Sequence, residues 1–338
     1  MTIVGIRCDA GPRTGVGHLV RCVALAEELV SRGVGVRFLS DLGGLDWAEA
    51  QLTQRGLPWH PPPFDEVGLV AAADRLGLDA LVVDSYTLPP QHSAAVRRSG
   101  RTVLAIVDGD PRGQTADIYV DQNLDAAILA DDDTIGLAGL DYALLRSSVR
   151  QLRPLHAPVH ASPRTPKVVA FFGGTDAFRA APQIAALLAR TGVAFDATVV
   201  AADESLRREL LAVPAGPGQR FEVIAPTDEL PKLLAGADLA VSASGTSTWE
   251  LLCLGLASAL VWVVDNQIQG YERTIANGYA AGLGRLGGPD EQAIAVLREL
   301  LTSPGSRTAL ATRAWSAVDG LGVERVADAL LAKAGSPR

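Results

Sequence analysis

Cysteine is scarce in this chain. Only Cys8, Cys22 and Cys253 occur in 338 residues, an odd number without framework spacing. That excludes a disulfide scaffold and predicts reduced thiols, as in a cytoplasmic protein. All three stand in apolar settings and read as core. No apolar run is long enough to span a bilayer, and Arg7, Asp9 and Arg13 come too early for a secretory leader. Positive charge is not in excess. The net charge is −8, so neither nucleic acid nor an anionic membrane surface is expected as a general partner. Two phosphate-binding signatures are incomplete. Val20 stands where the third glycine of a dinucleotide fingerprint belongs, and no Walker lysine is present. Neither a metal nor a cofactor is expected. Asp131-Asp132-Asp133 follows no strand pattern and reads as a solvated loop. His156 and His160 are four apart, but Pro154 and Pro158 oppose the helix that would pair them. His60, before Pro61-Pro62-Pro63, and His92, on a helix, read as surface.

What the chain does contain is a packed core and a repeated pattern. Hydrophobic residues make up 48% and charged residues 20%, a balance of soluble globular domains, and the length favours two of them. Short apolar runs at 3–8, 34–39, 80–84, 102–107 and 117–120 alternate with helical patterns at 19–31, 47–55, 67–76 and 91–99. Continuous apolar strands between helices predict a doubly wound parallel α/β sheet. Pro154, Pro158, Pro163 and Pro166 then interrupt the pattern, which restarts at Lys167. Strands are expected at 167–172, 195–200, 221–224, 239–242 and 259–264. The expected organisation is a domain over 1–148, a linker over 149–166, a second domain over 167–305 and an amphipathic helical tail over 306–338. Two such halves predict a ligand cleft between them.

The most informative stretch is Gly15-Val16-Gly17-His18-Leu19-Val20-Arg21. It follows the first strand and opens the first helix, so it sets a titratable base beside free N–H groups that favour anions. Ligands in open α/β sheets sit at the carboxyl ends of strands. In the first half those ends carry Asp9, Asp84-Ser85-Tyr86 and Asp108. In the second they carry Gly173-Gly174-Thr175-Asp176, the run Ser242-Ala243-Ser244-Gly245-Thr246-Ser247-Thr248, and Asp265-Asn266-Gln267. The Ser242–Thr248 run is the clearest anion site: small residues admit a ligand close to the backbone, and hydroxyls add donors. A helix from Thr248 presents its positive end to a diphosphate, and Glu250 stands ready to accept from ribose hydroxyls. Trp249 reads as packing. Each feature alone has a plainer reading. His18 fits a helix-start histidine with a satisfied hydrogen bond, Gly15 and Gly17 a tight turn, Asp84 and Asp108 loop caps, Gly173-Gly174 a strand exit, and Ser242–Thr248 an N-cap run.

Taken together, these residues resemble a known family. Arg7-x-Asp9, Gly15-x-Gly17-His18-x-x-Arg21-Cys22, Asp84-x-Tyr86, Asp141-Tyr142-Ala143-Leu144-Leu145-Arg146, Gly173-Gly174-Thr175-Asp176, Ser242-Ala243-Ser244 with Glu250, and Asn266-Gln267 follow its order and spacing. The chain resembles the UDP-2,4-diacetamido-2,4,6-trideoxy-β-L-altropyranose hydrolase of pseudaminic acid synthesis and the related spore coat polysaccharide biosynthesis proteins. The resemblance runs from about residue 3 to about residue 285.

The resemblance implies a GT-B fold, two Rossmann-like domains with the nucleotide held mainly by the C-terminal one and a terminal helix packed back on the first. It implies a UDP-sugar substrate cleaved by water at the anomeric carbon, without a metal and with inversion. The catalytic histidine falls on His18, an active-site tyrosine on Tyr86 and an asparagine on Asn266. Asp84 and Tyr86 are placed to orient the sugar or tune His18. Gly15, Gly17, Arg21, Asp9, Asp108, Gly173, Gly174, Thr175, Ser242, Ser244, Gly245, Thr246, Ser247, Glu250 and Gln267 are the expected substrate contacts. The rival expectation is a glycosyltransferase moving a sugar from UDP to a small or lipid-linked acceptor.

Overall fold

The computed structural model describes residues 1–11, 16–128, 133–159 and 164–335. Gly15, Asp131, Asp132 and His160 lie outside the described residues. The chain divides into two units, Met1–Ser147 with Gly320–Arg338, and Ser148–Asp319.

The first unit is built on a parallel sheet of β1 (Ile3–Cys8), β2 (Gly35–Leu39), β3 (Trp59–His60), β4 (Ala80–Asp84), β5 (Thr102–Ile106), β6 (Ile118–Asp121) and β7 (Ile135–Ala138). Its order is β3-β2-β1-β4-β5-β6-β7. The strand direction of travel reverses between β1 and β4, where Cys8 is in register with Asp84. Such a switch point opens a crevice at the strand ends, and it is here that Asp9 and Asp84 emerge.

Alternate residues of the central strands feed two cores. Val4, Ile6, Ala80 and Val82 meet the helix Gly17–Ser31 and the terminal helix Gly322–Ala334 through Leu19, Leu25, Val323, Val326 and Leu330. Leu81, Val83, Val103 and Ala105 meet Leu69, Ala73 and Val96 from the helices Glu66–Leu76 and Pro90–Arg98. Helices on both faces explain why these strands read as unbroken apolar runs. Each fully buried leucine contributes about 1.5–3 kcal/mol by leaving water. The helix Glu66–Leu76 has clear local signals: Asp65 accepts from Gly68 N at its start, and Gly77, at φ 62°, ends it.

The second unit repeats the plan with β8 (Lys167–Phe171), β9 (Phe195–Val200), β10 (Gln219–Ile224), β11 (Leu239–Ala243), β12 (Ser258–Trp262) and β13 (Ala281–Arg285), in the parallel order β10-β9-β8-β11-β12-β13. Its switch point lies between β8 and β11, whose ends lead into Gly173-Gly174 and Ser244-Gly245. Arg153 and Pro154, in the proline-rich stretch, are fastened to this unit. Arg153 donates to the carbonyls of Cys253 (2.7 Å) and Trp315 (2.8 Å), and the Trp315 indole donates to that of Pro154 at 2.9 Å.

Some local expectations change. β3, β7 and β13 have no counterpart in the sequence reading. β3 is two residues long, and β13, Ala-Gly-Leu-Gly-Arg, is too rich in glycine to show a strand pattern. The amphipathic tail is not one helix. Pro304–Ala317 belongs to the second unit and Gly322–Ala334 to the first. His92 is buried, at 4% exposure, and not on the surface; it occupies the face of its helix that also carries Ser93 and Val96. His60 is half-buried because β3 pairs with β2. The three cysteines are free and buried.

Candidate active site

The helix Gly17–Ser31 places His18, Arg21 and Cys22 at i, i+3 and i+4, on one face. That face meets the end of β4. The Arg21 guanidinium, 2% exposed, donates from Nε to Asp84 Oδ2 at 2.6 Å and from Nη2 to Oδ1 at 2.7 Å. It also donates from Nη1 to Asp108 Oδ1 at 2.9 Å and from Nη2 to Oδ2 at 3.1 Å. One fork thus holds two carboxylates, a charge-assisted geometry that lysine cannot reproduce. Cys22 adds an Sγ contact to Asp84 at 3.6 Å.

His18 Nδ1 stands 3.5 Å from Asp84 Oδ1, with its side chain 16% exposed. Its ring meets Tyr86 edge to face, the centroids 4.4 Å apart. Tyr86 follows β4 on a turn in which Ser85 Oγ accepts from Thr87 N and Leu88 N. The Tyr86 hydroxyl donates to Asp108 Oδ2 at 2.6 Å, while the residue stays 47% exposed. Asn123, just past β6, donates from Nδ2 to both Asp108 (3.0 Å) and Asp121 (2.8 Å). Asp9 pairs with Arg7 and accepts from Asp41 N and Ser85 Oγ.

The charges are mutually set. Burial by itself raises the Asp108 pKa, but the Arg21 charge and donors, with Tyr86 and Asn123, hold it well below the usual carboxylate range. Burial, and then Asp108, push Tyr86 upward. Burial disfavours the Arg21 cation, yet Asp84 and Asp108 more than offset this and raise its pKa. Tyr86 therefore donates to Asp108 and does not ionise.

The second unit presents its own residues at its switch point. Gly173 takes φ 77°, a conformation that favours glycine, and Gly173 and Gly174 are exposed. Asp176 caps the helix Ala180–Arg190, accepting from Ala180 N (2.8 Å) and Ala181 N (3.0 Å), and burial raises its pKa. After β11 the chain turns into the helix Ser247–Cys253. Ser242 and Ser244 are buried, whereas Gly245 is exposed and Thr246 and Ser247 are half-buried. Gln267 accepts from Val263 N at 2.9 Å, and its amide nitrogen lies 3.9 Å from where a Cβ on Gly245 would stand. The run Gly245–Ser247 and Gln267 thus belong together, with Asn266 exposed beside them.

Several expectations need correcting. Arg21 does not project toward a ligand, because its donors are taken by two carboxylates. Asp84 is a buried ion-pair partner and no loop cap. Ser242, at 1% exposure, and Glu250, at 6%, are packed into the interior and offer little to a ribose or phosphate. Trp249 is buried at 4%, as packing requires. Asn123, Asp121 and Arg112 were missed by the sequence reading. Asp121 ends β6, Asn123 follows it and Arg112 lies in the loop after β5, near the strand ends that signalled Asp84 and Asp108, but Asp121-Gln122-Asn123 is hidden when that strand is ended a residue early. Among the described residues no group of three or more His, Cys, Asp and Glu side chains is arranged to hold a metal, and no helix is long and apolar enough to cross a membrane.

Comparison with known proteins gives this arrangement a context. No family model matches the chain. The spore coat polysaccharide biosynthesis protein SpsG of Bacillus subtilis is 24% identical over 342 residues, covering 96% of each chain. The crystal structure of Acinetobacter baumannii MurG superposes with a TM-score of 0.74 at 16% identity, over 98% of this chain and all of that one. The glycosyltransferase VinC, in complex with dTDP, gives a TM-score of 0.67 at 15% identity, over 98% and 99%. The chain is similar to this spore coat polysaccharide biosynthesis protein and has the GT-B fold. The paired switch points are those of two Rossmann-like sheets.

Proposed function

We propose that the protein is a UDP-sugar hydrolase of polysaccharide biosynthesis that works without a metal and releases UDP and a free amino- or deoxy-sugar with inversion. The observation that carries this reading is the imidazole of His18 set against Asp84, a carboxylate that Arg21 grips through both oxygens. Nδ1 faces Asp84, which leaves Nε2 to take a proton. Water attacks the anomeric carbon, Nε2 accepts its proton as the new C–O bond forms, and the electron pair of the broken bond leaves with the β-phosphate of UDP. An imidazole oriented by a buried carboxylate suits this step, because the cation that forms is stabilised where it arises. Within the second unit, the backbone at Gly173-Gly174 and Gly245–Ser247 offers N–H donors of the kind that bind a diphosphate. Gln267 and Asn266 stand beside the second of these. The family resemblance supports uridine and the absence of a metal.

The test is a panel of nucleotide-sugars incubated with the protein and EDTA, with UDP release and anomeric configuration followed by NMR. Release of UDP from a nucleotide-sugar alone is expected, and His18→Asn is expected to abolish it while UDP still binds. Near-normal turnover in that variant would falsify the assignment. The second reading, transfer to an acceptor, is favoured by the likeness to a glycosyltransferase fold. It predicts UDP release only when an acceptor is supplied.

A further inference from the structure

Among the described residues, the Arg21 network leaves the site short of positive charge. Asp84, Asp108 and Asp121 are joined through Arg21 and Asn123, and Arg21 is the one cation among them. Arg7 is matched by Asp9. A cluster built this way repels the anionic substrate that the proposed reaction requires. One further cation stands at its edge. The Arg112 guanidinium lies 4.2 Å over the ring of Tyr86, the ring that touches His18 and donates to Asp108. Among the described residues no carboxylate pairs with this guanidinium, and none accepts from its five N–H groups.

The loop that carries it is set by its backbone. Arg112 takes φ 52° and Gly113 φ 72°, while Asp110 Oδ1 accepts from Arg112 N at 2.8 Å. A left-handed arginine is disfavoured and is kept only where its surroundings impose it. The Tyr86 face fixes the guanidinium in place and leaves its edge donors open, the arrangement in which arginine reads planar oxyanions.

We infer that Arg112 binds an oxyanion of the substrate, a phosphate or a carboxylate, at the Tyr86 face of the His18 site. This rests on the hydrolase reading for the identity of the substrate, but the charge argument is independent of turnover. Two sources carry this chemistry, the diphosphate of the nucleotide and an acidic group on the sugar. Calorimetric titration at low salt distinguishes them. UDP, UDP-N-acetylglucosamine and UDP-glucuronate are titrated into the His18→Asn protein with Arg112 intact, and with Arg112→Met or Arg112→Lys added. If the diphosphate is the partner, Arg112→Met weakens all three by tenfold or more. If a sugar acid is the partner, it weakens UDP-glucuronate alone by that factor. In either case Lys restores part of the loss, which a residue that merely covers the Tyr86 ring would not require. Affinities unchanged by Arg112→Met, or no binding with Arg112 intact, overturn the inference. Failure of the wild-type protein to release UDP from any nucleotide-sugar overturns the hydrolase reading instead and leaves a shift at Arg112 standing.

Discussion

His18 Nδ1 lies 3.5 Å from Asp84 Oδ1, and Asp84 reaches no solvent because Arg21 and Cys22 close over it. The imidazole therefore faces a carboxylate that cannot turn away. A helix side chain and a strand-end side chain, distant in sequence, act as one unit.

Replacing Asp84 with Asn keeps the shape and removes the charge. We expect kcat to fall by about 10²- to 10⁴-fold, since an uncharged partner neither favours the right tautomer nor stabilises the cation. Arg21 keeps Asp108 but loses half of its charge partners in a buried place, so stability falls by about 3–5 kcal/mol. Urea unfolding and single-turnover UDP release measure the two effects separately. A variant with wild-type kcat would show that Asp84 serves only the fold.

Asp108 makes stability depend on acid. Its carboxyl is held below its ordinary value of 3.8 in the folded protein, so the unfolded chain binds a proton first as pH falls. The stabilisation is fully present above that ordinary value and is lost as pH drops through the folded one. The stability gap between wild type and Asp108→Asn should be constant from pH 7 to about 5 and then narrow toward pH 2. Denaturant titrations at each pH read it directly. A gap that widens on acidification contradicts the assigned direction.

Gly322 opens the terminal helix against the turn at Tyr142 and Ala143. A Cβ there would stand 2.6 Å from the Tyr142 carbonyl carbon and closer still to Ala143 N and O. Backbone cannot yield as a side chain can, so Gly322→Ala must move the helix and loosen Val323, Val326 and Leu330 from the first core. We expect a loss of about 2 kcal/mol or more, seen as a lower Tm. Unchanged stability would mean that the helix start shifts without cost.

Much of the site was legible from the residues alone. The alternation of apolar runs and helical patterns marked where strands end, and polar or glycine-rich residues at those ends marked His18, Asp84, Tyr86, Asp108 and the Gly245–Ser247 turn. Packing depth was not legible. Ser242, Glu250 and His92 have polar side chains that a sequence pattern assigns outward, yet neighbouring elements cover them.

The chain's own order of residues determined two α/β units, the i, i+3, i+4 face of His18, Arg21 and Cys22, and the carboxylates at the end of β4 and just past β5, because helical period and strand-end position are local properties. Only the tertiary structure decided which groups meet. The register of Cys8 with Asp84 brings β4 beside β1, and this turns Arg21 from a candidate ligand contact into the clamp of two carboxylates. It also sets Arg112 on Tyr86 and returns Gly322–Ala334 to the first core. Pairings of this kind depend on contacts between segments far apart in the chain, and no local pattern of side chains encodes them.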